Sequence, residues 1–99
     1  MFDVGNYRVY FKHYPEEWGA LKITEVTILP YRGKTACYIE DKDESNKIDV
    51  LVGFSYCSMV DIFDKAKGRK VALARAREGQ DKEFRTAVWK KYLETTSRL

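Results

Sequence analysis

The chain predicts an α+β fold: a four-stranded antiparallel sheet followed by two or three C-terminal helices packed on one of its faces. Three observations carry this. Apolar residues alternate with polar ones before Cys57, as in half-buried strands. After Cys57 they recur about every 3.6 positions, as in amphipathic helices. The early apolar runs are separated by short turn-forming stretches, which favour hairpins over crossover connections. A length of 99 residues suits a single domain, with the sheet in 1–57 and the helices in 58–99.

The first strand reads from Tyr7 to His13, with Tyr7, Val9 and Phe11 on one face and Arg8, Tyr10 and Lys12 on the other. Tyr14-Pro15-Glu16-Glu17-Trp18-Gly19 should break it, because proline removes a donor and glycine admits positive φ. A second run from Leu21 to Leu29 slips phase between Ile23 and Val26, which predicts a bulge near Thr24-Glu25 or a strand buried on both faces. Pro30-Tyr31-Arg32-Gly33 reads as a turn and Thr35–Glu40 as a third strand, with a polar loop over Asp41–Lys47. Ile48, Val50, Val52, Phe54 and Tyr56 then share one face of a fourth strand.

Ser58 and Asp61 suggest a capped helical turn over Met59–Lys67 that stops at Gly68. Arg69–Glu78 is alanine-rich and helical, with Ala72, Leu73 and Ala76 buried, and Gly79 ends it. Asp81 opens a last helix whose Phe84, Val88 and Tyr92 fall at i, i+4 and i+8, with Ala87 beside them. The expected core therefore joins Val9, Phe11, Val50, Val52 and Phe54 to Leu73, Phe84 and Val88.

Composition narrows the function classes. No apolar run approaches the roughly 20 residues that span a bilayer, and Met1–Tyr10 holds no apolar stretch of the kind a secretory leader needs, so a cytoplasmic protein with no membrane partner is expected. A chain this short leaves much of its surface exposed, which makes homo-oligomerisation one route to stability. Charge is segregated: residues 1–63 hold 7 basic and 10 acidic side chains, and residues 64–99 hold 11 basic and 5 acidic. The sharpest block is Lys65, Lys67, Arg69, Lys70, Arg75 and Arg77, with no acid among them. Such a block favours phosphates or an acidic protein surface, or else is simply the solvated face of a helix.

Catalytic arrangements find little support. His13 is the only histidine, so a Ser-His-Asp or Cys-His device would have to pass through it. Gly53-Phe54-Ser55-Tyr56-Cys57 begins like a nucleophile elbow and lacks its closing glycine. Cys37 and Cys57 are too few for a disulfide scaffold or a zinc site and read as buried thiols. Asp41, Asp43, Glu44 and Asp49 lack the spacing of a calcium loop, and no glycine-rich phosphate loop is present, so neither metal nor cofactor is expected. A histidine-independent ribonuclease built from Arg, Lys and Tyr leaves no linear motif and stays open as an alternative.

A non-enzymatic binding surface is the remaining reading. Arg8, Tyr10, Lys12 and Tyr14 interleave basic and aromatic side chains on the outer face of the first strand, as single-strand binders do. In the helical half, Lys67, Arg69, Lys70, Arg75 and Arg77 form a basic patch, with Lys70 and Arg77 expected to face a partner and Arg69 free to pair with an acid of the sheet. The stretch Gly68-Arg69-Lys70-Val71-Ala72 locally resembles the second-helix entry of double-stranded RNA-binding domains, where a basic pair after glycine touches phosphates.

Gly53-Phe54-Ser55-Tyr56-Cys57-Ser58, then Phe63-Asp64-Lys65, Gly68-Arg69-Lys70-Val71-Ala72 and Arg75-Ala76, resemble a pattern in small phage-encoded proteins of unknown role. The resemblance implies a phage origin and action in the cytoplasm of an infected bacterium, and it implies no activity. The expectation is a phage-type protein that engages host nucleic acid or a nucleoprotein complex through the basic helical patch. The alternative is a protein inhibitor of a host enzyme or defence system, in the manner of anti-CRISPR proteins.

Overall fold

A computed structural model describes residues 1–22, 24–41, 50–59 and 62–96. Four strands, β1 (Phe2–Val4), β2 (Tyr7–Lys22), β3 (Ile28–Asp41) and β4 (Val50–Ser58), precede two helices, α1 (Lys65–Ala76) and α2 (Lys82–Thr96). The strands pair antiparallel in sequence order. The expected four-stranded meander and C-terminal helices are therefore present, with element boundaries that differ from the sequence reading.

Most differences lie in the long β2–β3 hairpin. Pro15 does not end β2. It falls where the pairing with β3 shifts register, between Tyr14 and Trp18, and β1 flanks only Tyr7–Val9 on the other side, so its missing N–H leaves no ladder bond unmade. Beyond the shift, Trp18–Lys22 pairs with Ile28–Arg32 as an arm that β4 flanks only at Tyr31, opposite Ser58. The run expected over Leu21–Leu29 is divided between the two strands, with Ile23 outside the described residues and Thr24–Thr27 at the tip, where Thr24 Oγ1 accepts from the backbone N–H groups of Val26 (3.3 Å) and Thr27 (3.0 Å). Pro30–Gly33 likewise continues β3 rather than turning. Gly33 supplies φ +100 at the shift between Tyr31 and Lys34 that curls β3 against β4. The polar loop expected over 41–47 lies outside the described residues apart from Asp41, which ends β3.

Of the helical turn expected over Met59–Lys67, Val60 and Asp61 lie outside the described residues; the described helix starts at Lys65 and runs through Gly68 instead of stopping there. Asp64 caps α1, its Oδ1 accepting from Lys67 N–H at 3.2 Å. Asp81 caps α2 in the same way, accepting from Phe84 N–H at 2.7 Å, and Gly79 takes φ +87 between the helices. α1 lies against β3 and β4, and α2 against β1. The core joins Phe2, Val9, Cys37 and Ile39 of the sheet to Ala72, Leu73 and Ala76 of α1 and Val88 and Tyr92 of α2. Phe11 and Phe84 pack at its margin as partly buried side chains, while Ala87 is exposed.

The expected contribution of β4 to this core is overturned. Cross-strand partners share a face, so the register places Val50, Val52, Phe54 and Tyr56 opposite Glu40, Tyr38, Ala36 and Lys34. The complementary set Leu51, Gly53 and Ser55 faces α1. The reason is close packing of small residues: a Cβ on Gly53 would overlap Ala72 O and Ala76 N and lie 2.8 Å from Ala76 Cα. One on Gly68 would lie 2.5 Å from Thr35 Oγ1 and 3.3 Å from Ser55 Oγ. A larger side chain at either glycine would push helix and sheet apart. The more apolar half of β4 is therefore turned away from the helices, and Val52 stays 41% exposed.

Candidate functional site: an aromatic sheet face

The sheet face opposite α1 brings together residues from three strands. Register places Arg8, Tyr10, Lys12 and Tyr14 of β2 beside Glu40, Tyr38, Ala36 and Lys34 of β3, which in turn adjoin Val50, Val52, Phe54 and Tyr56 of β4. Tyr10 and Tyr38 stack with centroids 5.1 Å apart and planes 20° from parallel. Phe54 and Tyr56 lie 6.3 Å apart, and Tyr56 meets Tyr31 at 4.7 Å where β3 enters the arm. Lys12 Nζ sits 5.8 Å from the Tyr38 ring, and Lys34 Nζ lies between Tyr14 (5.3 Å) and Phe54 (5.2 Å). All of these ring and cation contacts are made within the sheet.

The cations of this face differ in how much of their charge is free. Lys34 bonds Glu17 Oε1 at 3.0 Å, an attraction that raises its pKa, and Arg8 Nε lies 3.6 Å from Asp3 Oδ1. Lys12 is exposed over its ring. Tyr10 donates to Glu40 Oε2 at 3.4 Å; burial first, then the adjacent carboxylate, raises its pKa. Tyr38 is raised by burial and then by Tyr14, with Tyr10 adding to the effect. These phenols stay neutral near pH 7 and present flat, uncharged rings.

The basic helix is divided by the fold. Arg75 Nη1 donates to Phe54 O at 2.7 Å, so this guanidinium caps a carbonyl of the edge strand β4. Arg77 is half-buried: its Nη1 donates to Arg85 O at 3.3 Å and its guanidinium lies 5.2 Å over the Trp89 ring. Arg77 thus ties α1 to α2 and does not pair with Lys70 to face a partner, as the sequence suggested. Lys67, Arg69 and Lys70 do come together, along a groove of about 560 Å³ floored by Tyr92 and Leu93. Among the described residues Arg69 forms no ion pair with a sheet acid; its charge bears on His13, whose pKa is lowered by burial first, then by Arg69 and Lys65.

The residues weighed for catalysis stand apart from the aromatic face. His13 Nδ1 lies 3.0 Å from Thr35 Oγ1 on the helix side of the sheet, with Phe63 edge-on at 6.1 Å. Gly53–Cys57 runs straight along β4 and forms no strand-to-helix elbow. Cys37 is buried, and burial pushes its pKa up to about 12. Asp43, Glu44 and Asp49 lie outside the described residues. Among the described residues, no cluster of three His, Cys, Asp or Glu side chains could hold a metal ion, and no helix is long and apolar enough to cross a membrane.

The sequence reading singled out Arg8, Tyr10, Lys12 and Tyr14 and missed their neighbours Tyr38, Lys34, Phe54 and Tyr56. The alternation Ala36, Tyr38, Glu40 in the third strand was a usable signal for the first of these. Compared with known protein families, curated proteins and solved structures, the chain matches none.

Proposed function

We propose that this protein is a non-enzymatic binder of single-stranded nucleic acid, and that the open sheet face is its binding platform. One observation carries the reading: Tyr10, Tyr14, Tyr38, Phe54, Tyr56 and Tyr31 gather on the face turned away from α1, with Lys12 and Lys34 set among them. Bases stack on such rings at about 1–3 kcal/mol each, whatever their identity. A duplex hides its base faces, so the platform favours single strands. The phage origin implied by the sequence resemblance makes host or phage single strands in an infected cell the natural ligand.

The basic helical groove of Lys67, Arg69 and Lys70 is on this reading auxiliary. Lys12 is the exposed cation among the rings, so affinity should come mostly from stacking, with few counterions released. The test is fluorescence anisotropy with labelled single-stranded and duplex oligonucleotides of both sugars over a salt series. Single strands should bind more tightly than duplexes, with a salt slope near one or two contacts at about 0.7 each. Tyr38→Ala and Tyr56→Ala should each weaken binding roughly tenfold or more, while Lys70→Glu changes it little. Duplex preference, or loss of binding by Lys70→Glu with both tyrosine variants unaffected, would move the site to the helices. Absence of binding to every oligonucleotide would leave the protein-inhibitor alternative in its place.

A further inference from the structure

The β2–β3 arm carries an exposed apolar surface that its own fold does not use. Trp18 is 75% exposed, Val26 93%, Ile28 61% and Leu29 52%. Exposed apolar residues scattered singly need no explanation; four on one short hairpin do. The edge of β2 is also open there. β1 pairs with Tyr7–Val9 only, and among the described residues Trp18–Lys22 has β3 on one side and no strand on the other. Folded proteins protect such edges with prolines and charges. Pro15, Glu16 and Glu17 guard the near end of this one, and Lys22 closes the far end, but Trp18-Gly19-Ala20-Leu21 between them carries no charge.

We propose that this edge pairs with the same edge of a second copy of the chain, β2 against β2, antiparallel about a two-fold axis at Gly19. Three features select this occupant. An antiparallel edge pair is isologous, so one strand must complement itself. With Gly19 on the axis, Glu16 of each copy meets Lys22 of the other, and Trp18 lies across from Ala20, a large side chain beside a small one. The described charges of the arm, Glu16, Glu17, Lys22, Glu25 and Arg32, are not basic in sum, and Arg32 already bonds Glu16 at 2.8 Å, so the arm offers phosphates no attraction. Pairing joins the two sheets into one continuous sheet and carries the ring surface of each copy, through Tyr31, Leu21 and Leu29, toward that of the other. The pairing holds whatever the aromatic face binds.

The test is sedimentation equilibrium of the full chain, free of nucleic acid, over a concentration series. The wild-type chain should sediment as a reversible dimer. Glu16→Lys alone makes both facing charge pairs lysine against lysine, and Lys22→Glu alone makes both glutamate against glutamate; each should raise the dissociation constant roughly tenfold or more. Mixed in equal amounts with one variant mass-tagged, the two should form a dimer with one copy of each. Both facing pairs are then lysine on glutamate if the axis lies at Gly19, so the mixed dimer should be tighter than either variant alone and close to the wild-type dimer. The double variant Glu16→Lys, Lys22→Glu restores opposite charges in both pairs and should dimerise as the wild-type chain does. Thermal melts check that the variants fold, and Trp18→Lys should also give folded monomer. A monomeric wild-type chain at all concentrations, dimers indifferent to either charge reversal, or no rescue by the double variant would each overturn the pairing. Quenching of Trp18 by an added oligonucleotide in a chain that stays monomeric would assign the arm to nucleic acid instead.

Discussion

Gly53 is the position where one methyl group should do the most damage. Its ideal Cβ would overlap the Ala72 carbonyl oxygen and the Ala76 amide nitrogen and stand 2.8 Å from Ala76 Cα. These are backbone atoms, so no rotamer can relieve the clash, and α1 must lift from β4 by about 1 Å. Leu73, Ala72 and Ala76 are buried in that seam. A buried leucine makes about 40–60 contacts worth about 0.1–0.2 kcal/mol each, and a gap of 0.5–1 Å forfeits a quarter to a half of each. Leu73 alone then loses about 1–6 kcal/mol, against which alanine recovers only about 0.5–1 kcal/mol of strand propensity over glycine. We expect Gly53→Ala to cost about 3 kcal/mol, a fall in Tm of about 12–24 °C for a domain of this size. Thermal and urea melts followed by circular dichroism measure it. The control is Ala74→Gly, on the exposed side of the same helix, which should cost about 1 kcal/mol through helix propensity. A Gly53→Ala variant that melts within a few degrees of wild type would show that α1 does not sit on β4 as described.

The other expectations are briefer. Phe54→Ala should cost about 1–2 kcal/mol, well below a buried phenylalanine, because Phe54 lies on the outer face; a loss near 4 kcal/mol would return it to the core. Burial, Arg69 and Lys65 hold the pKa of His13 below its ordinary value, so the unfolded chain takes up the proton first and stability falls as pH drops below about 6.5. His13→Gln should flatten the Tm–pH profile between neutrality and the onset of carboxylate titration, and an unchanged slope there would exclude His13 as its source. A thiol reagent near neutral pH should modify Cys57 in the native protein and spare Cys37, which is buried with its pKa pushed up to about 12. Equal rates at both, read by mass spectrometry, would mean that the sheet opens.

How much of this was legible depends on whether the deciding contact is local. Alternation over Tyr7–Phe11 correctly put Val9 inside, helical spacing put Val88 and Tyr92 inside, and Asp81 announced the cap of α2. Pro15 and Pro30 were misread because their turn propensity is local, while the open edges that tolerate them inside strands are set by where β1 and β4 end. Gly68 was misread as a helix stop for a similar reason: only the approach of Thr35 and Ser55, more than ten positions away in sequence, shows why a glycine sits inside α1. At the candidate site, the first strand showed its own half, Arg8, Tyr10 and Lys12. The other half required the register of β3 and β4, which no single segment encodes.

The misassigned face of β4 links the fold to the proposed platform. Alternation alone ranks Val50, Val52, Phe54 and Tyr56 as the buried set, since Gly53 and Ser55 offer almost no apolar area. The chain buries the small set because Gly53, Gly68, Ala72 and Ala76 let helix and sheet approach more closely than branched or aromatic residues would allow. Period-two geometry then leaves the large residues no choice of side: with Gly53 and Ser55 turned to the helix, Phe54 and Tyr56 must face outward. There they meet Tyr10, Tyr38 and Tyr31, which register places on the same side. Small-on-small packing inside and a ring-covered surface outside are thus one choice of register. Folding alone gains little from it, because a face of half-exposed aromatics gives up burial that the opposite choice would have captured. A bound single strand, stacking on those rings, would recover it.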